Sequence, residues 1–241
     1  MPCIAIVKPA HAVCGRVRAG TRRSVKVSDL LALPVEVGAA VRRRRLFHPA
    51  GVLARGRIER IAPPGQGLPI ETGDVVGRVS KGVGLPGSVP DIAGLAWRMT
   101  PGNRPWDVLL ATTAVNRVLL LPATSWDHTT YSSLMPLRYQ GGVWWLRARL
   151  TTHLDRPGLS LDTITDRLAR GDLEYSVEQA AGTGEFGPLA RLTLSEVIPP
   201  DRDMSFDPTL NTAPGVSLAP GWLTGFRRAA YRRSREGRDA E

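Results

Sequence analysis

Short runs rich in apolar and β-branched residues, punctuated by glycine and proline, recur from residue 46 to residue 197. "LFHPAGVLARGRIERI" (46–61) and "DVVGRVS" (74–80) read as strands joined by the Pro/Gly loop "APPGQGLP" (62–69). "PWDVLLATTAVNRVLLLP" (105–122) is apolar without the period of an amphipathic helix, and we read it as extended. "LMPLRYQGGVWWLRARLT" (134–151) predicts a hairpin turning at Gly141-Gly142. "LEYSVEQAAGTGEFGPLARLTLSEV" (173–197) predicts another, turning around "GTGEFG". Short strands with hairpin turns at this spacing predict an antiparallel barrel or sandwich.

Helical signals are few. "SLDTITDRLARG" (160–171) has Ser160 or Asp162 to cap it and Gly171 to stop it. "VSDLLALPVEVGAAVRRRR" (27–45) allows a short helix entered at Ser28 or Asp29, which Pro34 would break if it ran on. A third signal lies in "LTGFRRAAYRRSREGR" (223–238). Residues 1–25 show no clear period and read as an arm, which leaves 26–241 as a single mainly β domain. There is no internal repeat or low-complexity tract.

Composition adds a partner class. The 241 residues are 42% hydrophobic, enough for one sizeable core. The net charge of +10 is almost wholly arginine, since lysine occurs only at Lys8, Lys26 and Lys81. Such a chain seeks anions: phosphate, acidic lipid or a ligand's carboxylates. The tryptophans are not interleaved with the basic runs as a stacking platform requires, which argues against nucleic acid. Cys3 and Cys14 offer no disulfide framework and fit a reducing cytosol. With His11 they lack a fourth partner for a closed zinc module. No apolar run approaches the ~20 residues that span a bilayer, and the opening "MPCIAIVKPAHAVCG" lacks the features of a secretory signal. The expectation is a cytoplasmic protein without a membrane span.

Two motif matches fail on context. "GVGLPG" (82–87) fits G-x-G-x-x-G, but Pro86 and Pro90 prevent a helix from starting there to face a pyrophosphate. "TSWDH" (124–128) holds Ser125, Asp127 and His128, yet a nucleophile triad converges from separate elements. Both read as loops.

The remaining motifs fall into two blocks. The first contains Arg45, His48 and Gly51; Arg78 and Ser80; Asp91, Gly94, Ala96 and Arg98; and Trp106-Asp107. The second contains Arg227, Tyr231 and Arg238, preceded by "FDPTLNTAPG" (206–215). Their order and spacing resemble the haem-catalase superfamily, in particular its small catalase-related peroxidases. The family motifs are R-x-x-H-x-x-G, R-F-S, D-x-x-G-x-A-x-[KR], W-D, and an R-x-x-x-Y helix with a further arginine seven residues on.

The resemblance implies a catalase-like antiparallel β-barrel with a few helices, including a C-terminal helix that carries the ligand to haem b. Tyr231 would bind the iron as tyrosinate, and Arg227, one helical turn away, would donate to its oxygen. An anionic oxygen ligand favours ferric iron. Arg45, Arg78 and Arg238 would pair with the propionates through forked guanidinium geometry. His48, held extended by Pro49, would move a proton between the peroxide oxygens, leaving a ferryl species, with Ser80 fixing the imidazole tautomer.

The chain departs from the family on the distal side. Where catalases carry W-D-x-x-x-N-N-T-P and paired phenylalanines, this chain has "WDVLLATTAVNR". Thr112 replaces the asparagine, and Asn116 and Arg117 fall at the phenylalanines. A shorter hydroxyl and the loss of an aromatic wall disfavour rapid dismutation and favour peroxidase turnover of hydrogen peroxide or organic hydroperoxides. An inward Arg117 would position a carboxylate-bearing substrate; an outward one is a surface charge. The resemblance leaves the reductant unnamed and is compatible with a homodimer. Two alternatives stand beside it: a hydroperoxide-rearranging haem enzyme, and a barrel that binds haem or another apolar ligand without turnover.

Overall fold

A computed structural model describes residues 50–113, 117, 119–127, 129–199 and 204–219. All belong to the unit Val41–Glu241. The expected boundary between 25 and 26, the short helix in 27–45 and the C-terminal helix lie outside the described residues.

Ten strands form one antiparallel sheet: β1 (Ala50–Arg60), β2 (Gly73–Lys81), β3 (Ala93–Met99), β4 (Trp106–Thr112), β5 (Thr130–Ser132), β6 (Leu137–Tyr139), β7 (Gly142–Leu150), β8 (Leu173–Ala181), β9 (Gly187–Val197) and β10 (Ser217–Leu218). The order is β10-β6-β7-β5-β4-β3-β2-β1-β9-β8, and a further β7–β8 pairing closes eight of the strands into a barrel. β6 and β10 extend the sheet from β7. Closure leaves none of the eight barrel strands as a free sheet edge.

Alternation along the strands fills the barrel. Val52, Ala54 and Ile58 of β1, Val75 and Val79 of β2, and Leu95 and Trp97 of β3 point inward and are buried. Val108 and Leu110 of β4 meet Leu146, Tyr175 and Leu192 from the opposite wall. Tyr131 and Tyr175 pack edge to face at 6.2 Å between ring centroids. Their hydroxyls, and the indole nitrogen of Trp97, are buried without a hydrogen-bond partner among the described residues. Desolvation raises the pKa of both phenols; for Tyr131 the neighbouring Tyr175 adds to it.

The one α-helix among the described residues, α1 (Leu161–Leu168), starts at Ser160, whose hydroxyl accepts from the Asp162 amide. Of the two candidate caps, Ser160 is the one used, and the helix ends just before Gly171. Two expected boundaries move. The first hairpin turns on Gln140 and Gly141, both at positive φ (47° and 76°), so Gly142 already pairs with Tyr139 in the ladder. The stretch 105–122 is not one strand. After Thr112 the chain folds back: the Leu121 amide donates to the Thr112 carbonyl (3.1 Å), and Thr113 bridges Leu120.

Candidate functional site

Register places the first motif block on neighbouring strands. Gly51 stands opposite Ser80, Ser80 opposite Gly94, Gly94 opposite Ala111, and Ala111 opposite Ser132. Their parity is opposite to that of the core residues, so the row lies on the outer wall of the barrel. No member is larger than serine, yet Ser80, Ala111 and Ser132 are only 4%, 7% and 2% exposed. The next row on the same face holds Leu53, Arg78, Ala96 and Leu109.

Gly51 is required here for space. A Cβ at this position would lie 2.6 Å from Arg78 Nε and 2.8 Å from Ser80 Cβ, well inside normal contact. The Arg78 side chain therefore lies beside the bare backbone of Gly51, next to Ser80. Ser80 Oγ is 3.5 Å from the Gly94 carbonyl, a long contact for a hydroxyl donor.

Thr112 is at the same end of the barrel but on the other face. It pairs with Tyr131, shares the inward parity of Leu110, and is 3% exposed. Its hydroxyl donates to the Leu121 carbonyl (2.6 Å) and accepts from the Ala93 amide (3.2 Å). The structure thus brings Arg78 and Ser80 together and sets Thr112 apart from them, with its one proton used to hold the folded-back loop.

Arg117 takes neither orientation weighed from the sequence. At φ 67° it reaches to the β8–β9 turn and donates to the carbonyls of Gly182 (3.1 Å) and Gly184 (2.7 Å). Its guanidinium lies 4.4 Å from the centroid of Phe186, and that of Arg147 lies 3.9 Å from the same ring. Arg147 in turn pairs with Glu178 at 2.6 Å. The Arg117 carbonyl accepts from Ser132 Oγ (3.1 Å), which seats this loop against the last member of the outer row.

The end of the first block meets the start of the second. Arg98 and Asp107, opposite each other on β3 and β4, form a two-pronged pair of 2.6 and 2.7 Å, with the Asp107 side chain 0% exposed. The hydrogen bond to Asp107 raises the guanidinium pKa, opposed by partial burial. Asp107 Oδ2 also accepts from the Asp207 amide and from Asn211 Nδ2, each at 2.7 Å, and its own amide donates to the Asn211 carbonyl. Arg98 donates to the Ser205 carbonyl and stacks on Phe206. "FDPTLNT" is thereby fixed to the outer face of β3–β4, the face that carries Ser80 and Arg78. No sequence period signals this; the W-D and [KR] motif positions do.

"GVGLPG" is the loop the sequence predicted, with an anion of its own. Asp91 accepts from the amides of Val83, Gly84, Leu85 and Ile92 at 2.7–3.0 Å, and Lys81 donates to the Leu85 carbonyl. In "TSWDH", Ser125 Oγ accepts from the Asp127 amide, and Asp127 Oδ2 lies 3.4 Å from His153 Nδ1. Ser125 also lines an open cleft of about 260 Å³ beside Thr112.

Arg45, His48, Arg227, Tyr231 and Arg238 lie outside the described residues, as does Asn116. Among the described residues no cluster of His, Cys, Asp and Glu could hold a metal ion, and no helix is long and apolar enough to cross a membrane.

Comparison with known proteins gives a fold. No protein-family profile and no curated protein sequence matches the chain. Among solved structures it is similar to a fungal catalase (TM-score 0.59, 10% identity, 91% of this chain and 64% of that one). It is similar to catalase A of Saccharomyces cerevisiae (0.58, 10%, 96% and 68%) and to a bacterial catalase (0.55, 12%, 88% and 61%). The chain has a catalase-like fold and spans about two thirds of the length of these proteins.

The haem implied by the sequence resemblance can be tested against the outer row. A planar macrocycle needs a wall without protruding side chains and cations for its two carboxylates. Gly51, Ser80, Gly94 and Ala111 supply such a wall, and Arg78 a cation beside it, so the described residues fit the group.

Proposed function

We propose that this chain is a haem b-dependent peroxidase of catalase-like fold, acting on hydrogen peroxide or organic hydroperoxides with a separate reductant in the cytoplasm. The observation that carries the reading is the outer row of small buried residues on β1–β4, with the Arg78 side chain accommodated by the missing Cβ of Gly51.

Bound haem would supply a ferric centre able to exchange electrons with a peroxide. The chain's own part is binding and proton transfer. Arg78, with Arg45 and Arg238, would neutralise the propionates through bidentate hydrogen bonds. Tyr231 would supply an anionic oxygen to the iron, its charge stabilised by Arg227. His48 would move a proton between the two oxygens of a bound peroxide, a shuttle typically worth ~10²–10⁴-fold. Ser80, opposite Gly51 on the outer row, would hold the imidazole's other nitrogen. Thr112 would act indirectly, by fixing the loop that follows β4.

A second reading, haem binding without turnover, is favoured by one observation. The distal amide and phenyl positions of the catalase motif are here Thr112, facing the barrel interior, and Arg117, engaged with the β8–β9 turn. Neither supports a closed distal pocket.

Haemin titration of the purified protein tests both readings. The peroxidase reading requires a Soret band, loss of the ferric tyrosinate spectrum in Tyr231→Phe, and dye oxidation with cumene hydroperoxide that exceeds oxygen release from hydrogen peroxide. A Soret band with no turnover leaves the binder; no haem uptake overturns both.

A further inference from the structure

The barrel end where β2, β3 and β4 meet carries six exposed aliphatic side chains on two loops. Val83, Leu85 and Val89 are 61%, 37% and 40% exposed; Leu119, Leu120 and Leu121 are 53%, 37% and 46% exposed. The loops are held together rather than loose. Asp91 and Ala123 exchange both backbone hydrogen bonds, and Asp91 also binds the amides of Val83, Gly84 and Leu85. Exposed leucines on a pinned surface are unusual in a free monomer and mark a contact site.

The rim runs without a break into the open cleft of about 260 Å³, because Leu121 and Ala123 line it. Most of the rest of the lining is hydroxylic, including Thr113, Thr124, Ser125 and Thr130, with Pro122 and Asp127 beside them. Thr113, Thr124 and Thr130 make no side-chain hydrogen bond among the described residues. Among the described lining residues, Asp127 is the one ionisable side chain. Residues 82–90 and 119–126 contain no charged side chain, in a chain of net charge +10.

We propose that this barrel end binds a single-chain amphiphile with an uncharged, hydroxyl-bearing head: the head sits in the cleft against the threonines and Asp127, and the aliphatic tail lies across the rim leucines. Hydroxyl groups both donate and accept, so they match threonine hydroxyls and a carboxylate together. A carboxylate head would meet the Asp127 carboxylate, which already faces His153 Nδ1 at 3.4 Å and accepts from the Leu154 amide, and no arginine or lysine is among the described lining residues, which sets this site apart from the arginine-rich chemistry elsewhere in the chain. The site does not depend on haem or peroxide chemistry, and it is tested without either.

The experiment is calorimetric titration of the full chain with octyl, nonyl and decyl β-glucoside below their micelle concentrations. One saturable site is expected, tightening about fourfold per added methylene. Leu121→Asp and, as an independent variant, Leu85→Asp should each weaken decyl glucoside at least tenfold while the circular dichroism spectrum is kept. Leu210→Asp, on the segment docked at Asp107, should leave binding unchanged, and decanoate should bind more weakly than decyl glucoside at 0.15 M salt. Absence of saturation, equal binding by the rim variants, or equal binding of decanoate would each overturn the proposal. So would light scattering showing a dimer that Leu121→Asp dissociates while no glucoside binds, since the rim would then be covered by a second copy.

Discussion

Arg98 and Asp107 meet across β3 and β4 in a two-pronged ion pair of 2.6 and 2.7 Å, and the same carboxylate receives two further donors from residues 207 and 211. Two motif positions that look unrelated in sequence are thus one structural device. It ties the segment before the C-terminal block to the outer wall that carries Ser80 and Arg78.

Removing one partner of that pair is expected to be costly. Asp107→Ala leaves Arg98 without its carboxylate and two donors of the 207–211 segment unmet, and breaking a buried pair typically costs about 3–5 kcal/mol. Urea unfolding should show the loss, and amide exchange in 205–211 should rise before that of β3 and β4. Unchanged exchange in 205–211 would refute the clamp.

Gly51→Val tests the outer wall. The added side chain would collide with Arg78 Nε at 2.6 Å and with Ser80 Cβ at 2.8 Å, so Arg78 must move. The expected result is a haem affinity lowered at least tenfold with the β-rich circular dichroism retained. Wild-type affinity in a folded variant would remove the row from the haem site.

The two core tyrosines predict an alkaline limit to stability. Their pKa values are raised in the folded state, so the neutral phenol is favoured there. The stabilisation is fully present below the unfolded value near pH ~10 and is lost as pH rises above it. With both phenols involved, the slope should approach about 2.7 kcal/mol per pH unit. Tyr131→Phe should flatten the slope in urea midpoints between pH 9 and 11. Because it removes a buried hydroxyl that has no partner among the described residues, it should not destabilise at pH 7, and a gain of about 1 kcal/mol is expected.

Thr112→Val separates a structural from a catalytic role. Losing the bond to the Leu121 carbonyl should cost about 1–2 kcal/mol in unfolding experiments and leave the Soret band and the hydroperoxide rate within twofold. A hundredfold fall in rate at unchanged haem affinity would instead put the hydroxyl at the reacting oxygen.

Much of the fold was legible because closed antiparallel sheets write themselves into sequence. β-Branched runs bounded by Gly and Pro marked β1, β2 and the two long hairpins, and the pair Ser160 and Asp162 marked the start of α1, with Ser160 the cap used. The hairpin tip moved by one residue because positive φ at both Gln140 and Gly141 suits the strand twist, which glycine content alone does not reveal. The extended reading of 105–122 holds for β4 and misses the return after it, because nothing local says that the Thr112 hydroxyl will capture the Leu121 carbonyl nine residues on.

For the candidate site, the motif residues named a group of side chains, and register decided which of them share a surface. Since successive side chains on a strand face opposite ways, Ser80 and Arg78 fall on the outer wall and Thr112 on the inner one, a difference of one step that no spacing rule across three strands could supply. The direction of Arg117, the four amides around Asp91 and the bond network of Asp107 are likewise long-range facts. The chain alone determined its charge, its strands and its motif chemistry; closure of the barrel determined which of those residues meet.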